Sequence, residues 1–326
     1  MLRELHPASM MMSSDRIPYW LKKCIYSSYL KNIVKVEVIR KWSLSEVLRL
    51  TSDDESTIIV KISRGPMSGE VDIYKDILIP ARINVPSIFD SFRTDDGSIM
   101  LMEDLGHRTV ERESKPYYFI EAARELARIR LSVSKYIRRD DIKHGAIQRH
   151  FVPKEQYLKD ISYLLALTDS KLVDSREILR RVPNILDRNL EILYESYPVT
   201  IVHNDYHSKN LIIKCKQIIP IDWSIAYLSP HLGDLYCIIQ EASDYNVDKT
   251  ELIDAYSSIM NSEHSGDSDT YHWQIDIGAL CWQVRILRWI MEYGVNAISE
   301  AAQWIPDFIL GIQGSVDKVT LHTKKV

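Results

Sequence analysis

The sequence predicts an α+β fold in two parts, a small antiparallel sheet with one main helix followed by a larger, mostly helical region. Three observations carry this. Residues 33 to 62 hold three closely spaced runs rich in β-branched residues. Nearly everything beyond residue 106 has helical period, except residues 199 to 223. Between them, Glu103-Asp104-Leu105-Gly106 marks the change of character and divides the 326 residues into 1–103 and 104–326. At 45% hydrophobic and 26% charged, the composition is that of a globular protein with enough mass for about two packed units.

In chain order, VKVEVIRKW, EVLRLTS and STIIVKIS read as an antiparallel meander joined by Ser43-Leu44-Ser45 and Asp53-Asp54-Glu55. Gly65-Pro66 breaks the chain, and Met67 to Leu78 then places Val71, Tyr74, Ile77 and Leu78 at helical spacing before Pro80 stops it. Two further strands fit Ser87 to Arg93 and Ser98 to Met102, joined by the turn signal Asp95-Asp96-Gly97. The second part holds helical candidates at 117–137, 154–168, 175–197, 249–260, 271–293 and 297–313, and Pro183 should end or kink its own. Asp248 with Glu251 forms a capping box. Embedded among the helices, PVTIVHNDYHSKNLIIKCKQIIPIDW reads as a strand, a polar loop and a hairpin of short apolar runs.

Several classes fall away on composition. Forty-one Lys+Arg against 45 Asp+Glu give a net charge of -4, so the basic surplus of a nucleic-acid binder is missing. Cys24, Cys215, Cys237 and Cys281 form no C-x-x-C pair, which argues against a disulfide framework or thiolate zinc site and for a reducing cytoplasm. The 11 glycines include no G-x-G-x-x-G and none before G-K-[ST], which excludes the Rossmann fingerprint and the Walker A loop. The N-terminal MLRELHPASMMMSSDR has no sustained apolar core, and Ile275 to Tyr293 is broken by Asp276, Arg285 and Arg288. A cytoplasmic protein without a membrane span is expected.

The chemistry concentrates in one segment. His203-Asn204-Asp205 through Asn210 puts an Asp and an Asn five apart in a loop between apolar strands, and Asp222 follows at the end of another strand. Phosphoryl transfer from Mg-ATP needs a carboxylate to orient the attacking hydroxyl and oxygen ligands to hold the metal against the phosphates. Asp205, Asn210 and Asp222 can supply these in that order. A cation on the phosphates is also required, and Lys61, on the third strand, precedes Glu70 of the only helix in the first part by nine residues. Without the downstream motif, Lys61 and Glu70 would read as an exposed strand lysine and a solvated helix carboxylate.

H-x-D-x-x-x-x-N followed by a strand-borne Asp resembles the protein-kinase-like catalytic segment. More closely, HNDYHSKNLII, IPIDW and GDL resemble the aminoglycoside phosphotransferase and choline kinase family. His203, Asp205, His207, Asn210, Asp222, Trp223 and Asp234 find places in that pattern, and LMEDLG at 101–106 is similar to the family's hinge. The resemblance implies a two-lobed protein-kinase-like fold with ATP between the lobes and adenine on the backbone of Glu103 and Leu105. It also implies that Lys61 bridges the α- and β-phosphates and that Asp234 hydrogen-bonds the catalytic loop, which His203 braces; on its own Asp234 would read as an N-cap. His207 is a supporting residue of undecided role.

The departures are informative. Asn204 stands where the family has Gly, Trp223-Ser224 where protein kinases have Phe-Gly, and no A-P-E follows. Asp222 to Pro230 is too short for an activation loop that docks peptides, so the expected acceptor is a hydroxyl of a small molecule and not of a protein. Lys41 to Ser45 has no glycine, which leaves a phosphate cradle of backbone N–H groups and the hydroxyl of Ser43 or Ser45. A polycationic acceptor would use carboxylates such as Glu241, Asp244, Glu263, Asp267 and Asp269, and a choline-like cation an enclosure of Trp273, Trp282 and Trp289. Two alternatives stand beside a small-molecule kinase: a nucleotide-binding scaffold without turnover, and a metal-dependent hydrolase using His203-x-Asp205-x-His207.

Overall fold

The computed structural model describes residue 30 and residues 32–139, 144–167, 172, 175–261 and 268–323. Cys24, Glu263 and Asp267 lie outside the described residues, as does the side chain of Asp269. The chain divides into two compact units. The first takes the described residues up to Asp72 together with Val85–His107, and the second takes Ile73–Asn84 and the described residues from Arg108 onward.

In the first unit the meander forms as its alternation requires. Strands β1 (Ile33–Lys41), β2 (Ser45–Ser52), β3 (Thr57–Arg64), β4 (Ile88–Thr94) and β5 (Gly97–Glu103) make one antiparallel sheet of order β1-β2-β3-β5-β4. Val36, Leu48, Leu50, Val60, Ile62, Ile99 and Leu101 share one buried cluster, the face that period-2 patterning sends inward. At Gly97 a Cβ would lie 1.9 Å from the Ser63 carbonyl, so only glycine lets β5 begin beside β3. After β3, Gly65 turns with φ +51 into a 3-10 segment, Gly65–Gly69, that leads to helix α1 (Glu70–Ile73) and a π turn at Tyr74–Leu78. The helix expected from Met67 therefore takes α geometry only from Glu70, because Pro66 and Gly69 belong to its tighter first turn.

The second unit contains α2 (Pro116–Ile137), α3 (His144–Gln148), α4 (Lys154–Ala166), α5 (Arg176–Ser196), β6 (Thr200–Val202), β7 (Leu211–Lys214), β8 (Gln217–Pro220) and β9 (Tyr227–Ser229). Helices α6 (Gly233–Ser243), α7 (Lys249–Met260), α8 (Ser268–Trp289) and α9 (Ala301–Thr323) follow, the last two joined by a π turn at Ile290–Gly294 and a single helical turn at Val295–Ala297. β6 pairs with β9, and β7 with β8 through a turn at Cys215 and Lys216, both at positive φ, as a tight hairpin demands. One apolar cluster joins α4, α5, α8 and α9, and another joins α2, α6 and α7 to the hairpin.

Two expectations change here. Helix α5 runs through Pro183 and is not ended by it, since Leu179, Val182 and Leu186 around it are fully buried and hold the turn in place. Helix α6 lies outside the helical segments expected from period; it is only 11 residues long, with Leu235, Cys237, Ile238, Ile239 and Ala242 buried and Gln240 and Ser243 exposed. Among the described residues, no helix is long and apolar enough to cross a membrane.

Candidate active site

In the first unit, β3 carries Lys61 on the face opposite Val60 and Ile62, where it is buried, and α1 opens on Glu70, whose Oε2 lies 2.5 Å from the Lys61 ammonium. Their side chains are 5% and 1% exposed, so this is a desolvated pair with neither charge left to water. Ser45 is fully buried on β2, opposite Ser63, whereas Ser43 is exposed in the turn before it. Glu103 closes β5 with its carboxylate accepting the Ser87 N–H at 3.2 Å. Next to it, Arg49 donates to both oxygens of Asp104 at 2.5 and 3.1 Å, and Asp104 accepts the N–H of Gly106, which sits at φ +84 beyond Leu105. Burial would raise the Asp104 carboxyl, but the Arg49 hydrogen bond and charge together with the Gly106 N–H hold it below its ordinary value. Sequence reasoning had no signal for this tie, since its partners are 55 residues apart.

In the second unit, the loop between β6 and β7 gathers His203, Asp205, His207 and Asn210, and the β7–β8 hairpin returns the chain beside it. The Ile221 N–H donates to the Asn210 carbonyl at 2.9 Å, which sets Asp222 next to Asn210. Asn204 and Asp222 stand at φ 70 and 66. A left-handed residue explains why Asn replaces Gly at 204, because Asn is among the few side chains that tolerate that conformation. The Asn204 backbone is held from both sides, its N–H by Asp234 at 2.9 Å and its carbonyl by the Trp282 indole N–H at 2.9 Å.

Asp205 is the best-defined carboxylate of the loop. Asn210 Nδ2 donates to its Oδ2 at 2.7 Å and to its backbone carbonyl at 2.9 Å. His207 Nε2 lies 3.6 Å from Oδ1 and Lys209 Nζ 3.6 Å from Oδ2. Burial would raise this carboxyl, but the Lys209 and His207 charges hold it below its ordinary value. His203 accepts the Asp205 N–H on Nδ1 at 3.3 Å, so its neutral ring carries the proton on Nε2 and donates to the Ile221 carbonyl at 3.0 Å. Burial keeps that ring's pKa below its ordinary value. Both ring nitrogens are thereby engaged, so His203-x-Asp205-x-His207 is not a metal-ligand triad. Among the described residues there is no group of three or more His, Cys, Asp or Glu placed to hold a metal.

Asp234, in the first turn of α6, accepts the backbone N–H groups of His203 at 2.6 Å and Asn204 at 2.9 Å; its carboxylate serves the loop and does not cap its own helix. Burial raises its pKa against the pull of His203, the two N–H groups and Arg130. The Trp223 ring lies 4.3 Å from that of His203, tilted by 47°, and donates its indole N–H to the Pro220 carbonyl, while Ser224 donates to Asp222 Oδ1 at 2.8 Å. The three tryptophans considered as a cation enclosure go to different surroundings: Trp273 to Asn189 and Tyr197, Trp282 to Asn204, His207 and Phe308, and Trp289 against the apolar cluster of α4, α5, α8 and α9. Sequence reasoning missed Arg130, buried on α2, which donates to the carbonyls of Ile201 and Pro230 and so ties down both ends of the β6-to-α6 segment.

For magnesium, the chemistry of the donor set fits. The Asn210 amide nitrogen is spent on Asp205, so its carbonyl oxygen would be the atom offered to a metal, and the carboxylate of Asp222, which follows the Ile221 bonded to Asn210, would be a second hard oxygen.

A family model described as the phosphotransferase enzyme family matches residues 35–257, more than half of the chain. The chain belongs to that family. It is thus a phosphotransferase with an alcohol group as acceptor, in agreement with the sequence resemblance. No curated protein sequence matches this phosphotransferase. Among solved structures it is similar to the gentamicin complex of the aminoglycoside phosphotransferase APH(2")-IIa, with 16% identity over 92% of this chain and 98% of that one and a TM-score of 0.62. The ADP-bound aminoglycoside phosphotransferase APH(2'')-Ib is similar at 14% identity, 92% and 99% coverage and TM-score 0.59. An ethanolamine kinase from Plasmodium vivax is similar at 14% identity, 91% and 85% coverage and TM-score 0.62. These likenesses establish the kinase-like fold of the phosphotransferase.

Proposed function

We propose that this phosphotransferase moves the γ-phosphoryl group of ATP to a hydroxyl of a small molecule such as an amino alcohol or an aminoglycoside-like sugar. The observation that carries the reading is Asp205, held on Oδ2 by Asn210 at 2.7 Å with Asp222 adjoining. Lys61, kept in place by Glu70, binds the α- and β-phosphates, and Ser43 supplies a hydroxyl to the loop over them. The backbone of Glu103 and Leu105 receives the adenine. Asp205 orients the acceptor hydroxyl and takes its proton as the oxygen attacks phosphorus, and ADP leaves with the bond to the γ-phosphoryl group broken. Asn210 and Asp222 hold magnesium, which when bound neutralises charge on the phosphates. Residues 1–103 would then act as the nucleotide-binding lobe and 104–326 as the catalytic and acceptor lobe, in a cytoplasmic enzyme.

The short Asp222–Pro230 segment supports a small acceptor, and so do the names of the structural relatives, an ethanolamine kinase and a gentamicin complex. The test is an ATP-consumption screen over hydroxylated amines, aminoglycosides and sugars, with the phosphorylated product identified by its mass. Turnover of a generic protein substrate in preference to every small molecule would overturn the reading.

A further inference from the structure

Asp234 and Glu241 are seven residues apart on α6, and two helical turns put them on one face. Both carboxylates serve the same loop. Asp234 takes the N–H groups of His203 and Asn204, and Glu241 Oε2 takes that of Ser208 at 2.6 Å. Glu241 Oε1 accepts His207 Nδ1–H at 2.8 Å, which fixes the ring so that Nε2 faces Asp205 Oδ1. The loop thus lies along α6 with a carboxylate at each end, and the two oxygens of Asp205 face different partners, Oδ2 toward Asn210 and Oδ1 toward His207.

We propose that Glu241 is a positioning residue for phosphoryl transfer: through His207 and Ser208 it fixes the loop that aims Asp205 at the attacking hydroxyl. This rests on the phosphotransferase mechanism above. It also separates Glu241 from the acidic residues that a cationic acceptor would use, because its two oxygens already hold the loop. Oxygen acceptors that pin a loop at two points restrict the direction of its carboxylate, and misdirection of a reacting group by a fraction of an ångström is costly to rate.

The experiment reads ADP release from Mg-ATP with water as acceptor, so it needs no knowledge of the natural substrate, together with calorimetric binding of Mg-ADP. Glu241→Ala and His207→Phe should each lower ADP release about tenfold while leaving Mg-ADP affinity within about twofold, and the double variant should be no slower than the slower single one. Glu241→Gln, which retains an oxygen for Ser208, should recover most of the rate. An acceptor contact would leave reaction with water untouched, so wild-type ADP release by Glu241→Ala overturns the proposal, as do independent losses that multiply in the double variant. Amide hydrogen exchange of residues 203–210 supplies the second measurement. Faster exchange at Ser208 in Glu241→Ala, with thermal melting unchanged, supports the clamp, and unchanged exchange overturns it. If the wild-type protein consumes no ATP with water or with any acceptor of the screen above, the phosphotransfer mechanism fails, while the exchange result still decides the clamp.

Discussion

Gly233 and Gly278 meet so closely that a Cβ on Gly278 would lie 2.7 Å from the Gly233 nitrogen. This contact lets α8 lie against α6 and carries Trp282, one turn beyond Gly278, to the Asn204 carbonyl. Gly278→Ala should therefore destabilise by about 1–3 kcal/mol, because the atoms it meets are backbone and cannot swing aside. Gly314→Ala, on α9 with nothing within 4 Å of the new Cβ, should instead stabilise by about 0.5–1 kcal/mol. Denaturant unfolding of the two variants should move the midpoint in opposite directions.

Asp205→Ala should remove transfer by about 10²- to 10⁴-fold while leaving Mg-nucleotide affinity nearly unchanged, since the carboxylate acts on the acceptor hydroxyl. Single-turnover kinetics beside calorimetry separate the two effects. Full turnover in this variant would end the mechanism.

Asp222→Ala should weaken binding of Mg-ATP much more than binding of ATP with the metal chelated, because it removes one hard oxygen from the pair it forms with Asn210. Equal affinities with and without magnesium in the wild-type protein would contradict that role.

Glu70→Ala leaves the Lys61 ammonium buried without its partner, at 5% exposure, and should cost about 3–5 kcal/mol. Replacing both residues together, Lys61→Met with Glu70→Leu, should cost less than Glu70→Ala alone while abolishing turnover. Chemical denaturation of the single and double variants checks the first half, and ADP release the second.

His231 is fully buried; its Nδ1 accepts the Gly233 N–H at 3.0 Å, which leaves Nε2–H for the Tyr227 hydroxyl at 2.8 Å. Burial, aided by the Arg130 and Arg285 charges, holds its pKa well below 6.5. The unfolded chain then binds the proton before the folded one does, so this group costs stability as pH falls below 6.5, by up to about 1.4 kcal/mol per pH unit until the folded pKa is reached. Stability measured from pH 7.5 to 5 should fall, and His231→Gln should flatten the slope. His207, raised by Glu241 and Asp205 against burial, acts with the opposite sign and loses its contribution as pH rises through its folded pKa.

The five sheet strands and the segment that gathers His203, Asp205 and Asn210 into one loop were legible because each rests on local information: alternation, turn residues, and polar residues at loop spacing between apolar strands. Asp205, Asn210 and Asp222 lie within eighteen residues, so the hairpin alone brings Asn210 and Asp222 together. Helix α6 was not read from period, since its 11 residues give the pattern few turns in which to repeat. Nor were the roles of Arg130, Glu241 and Trp282 in holding the loop. They act across 33 to 100 residues of chain, as from Glu241 to Ser208, from Trp282 to Asn204 and from Arg130 to Pro230. Sequence by itself determined which polar groups share the loop and the hairpin after it, because residue type and short spacing decide that. Only tertiary structure decided which groups hold them still, because a buried donor finds its acceptor through packing, as Asn204 finds Asp234 and Trp282, and no local pattern records the partner.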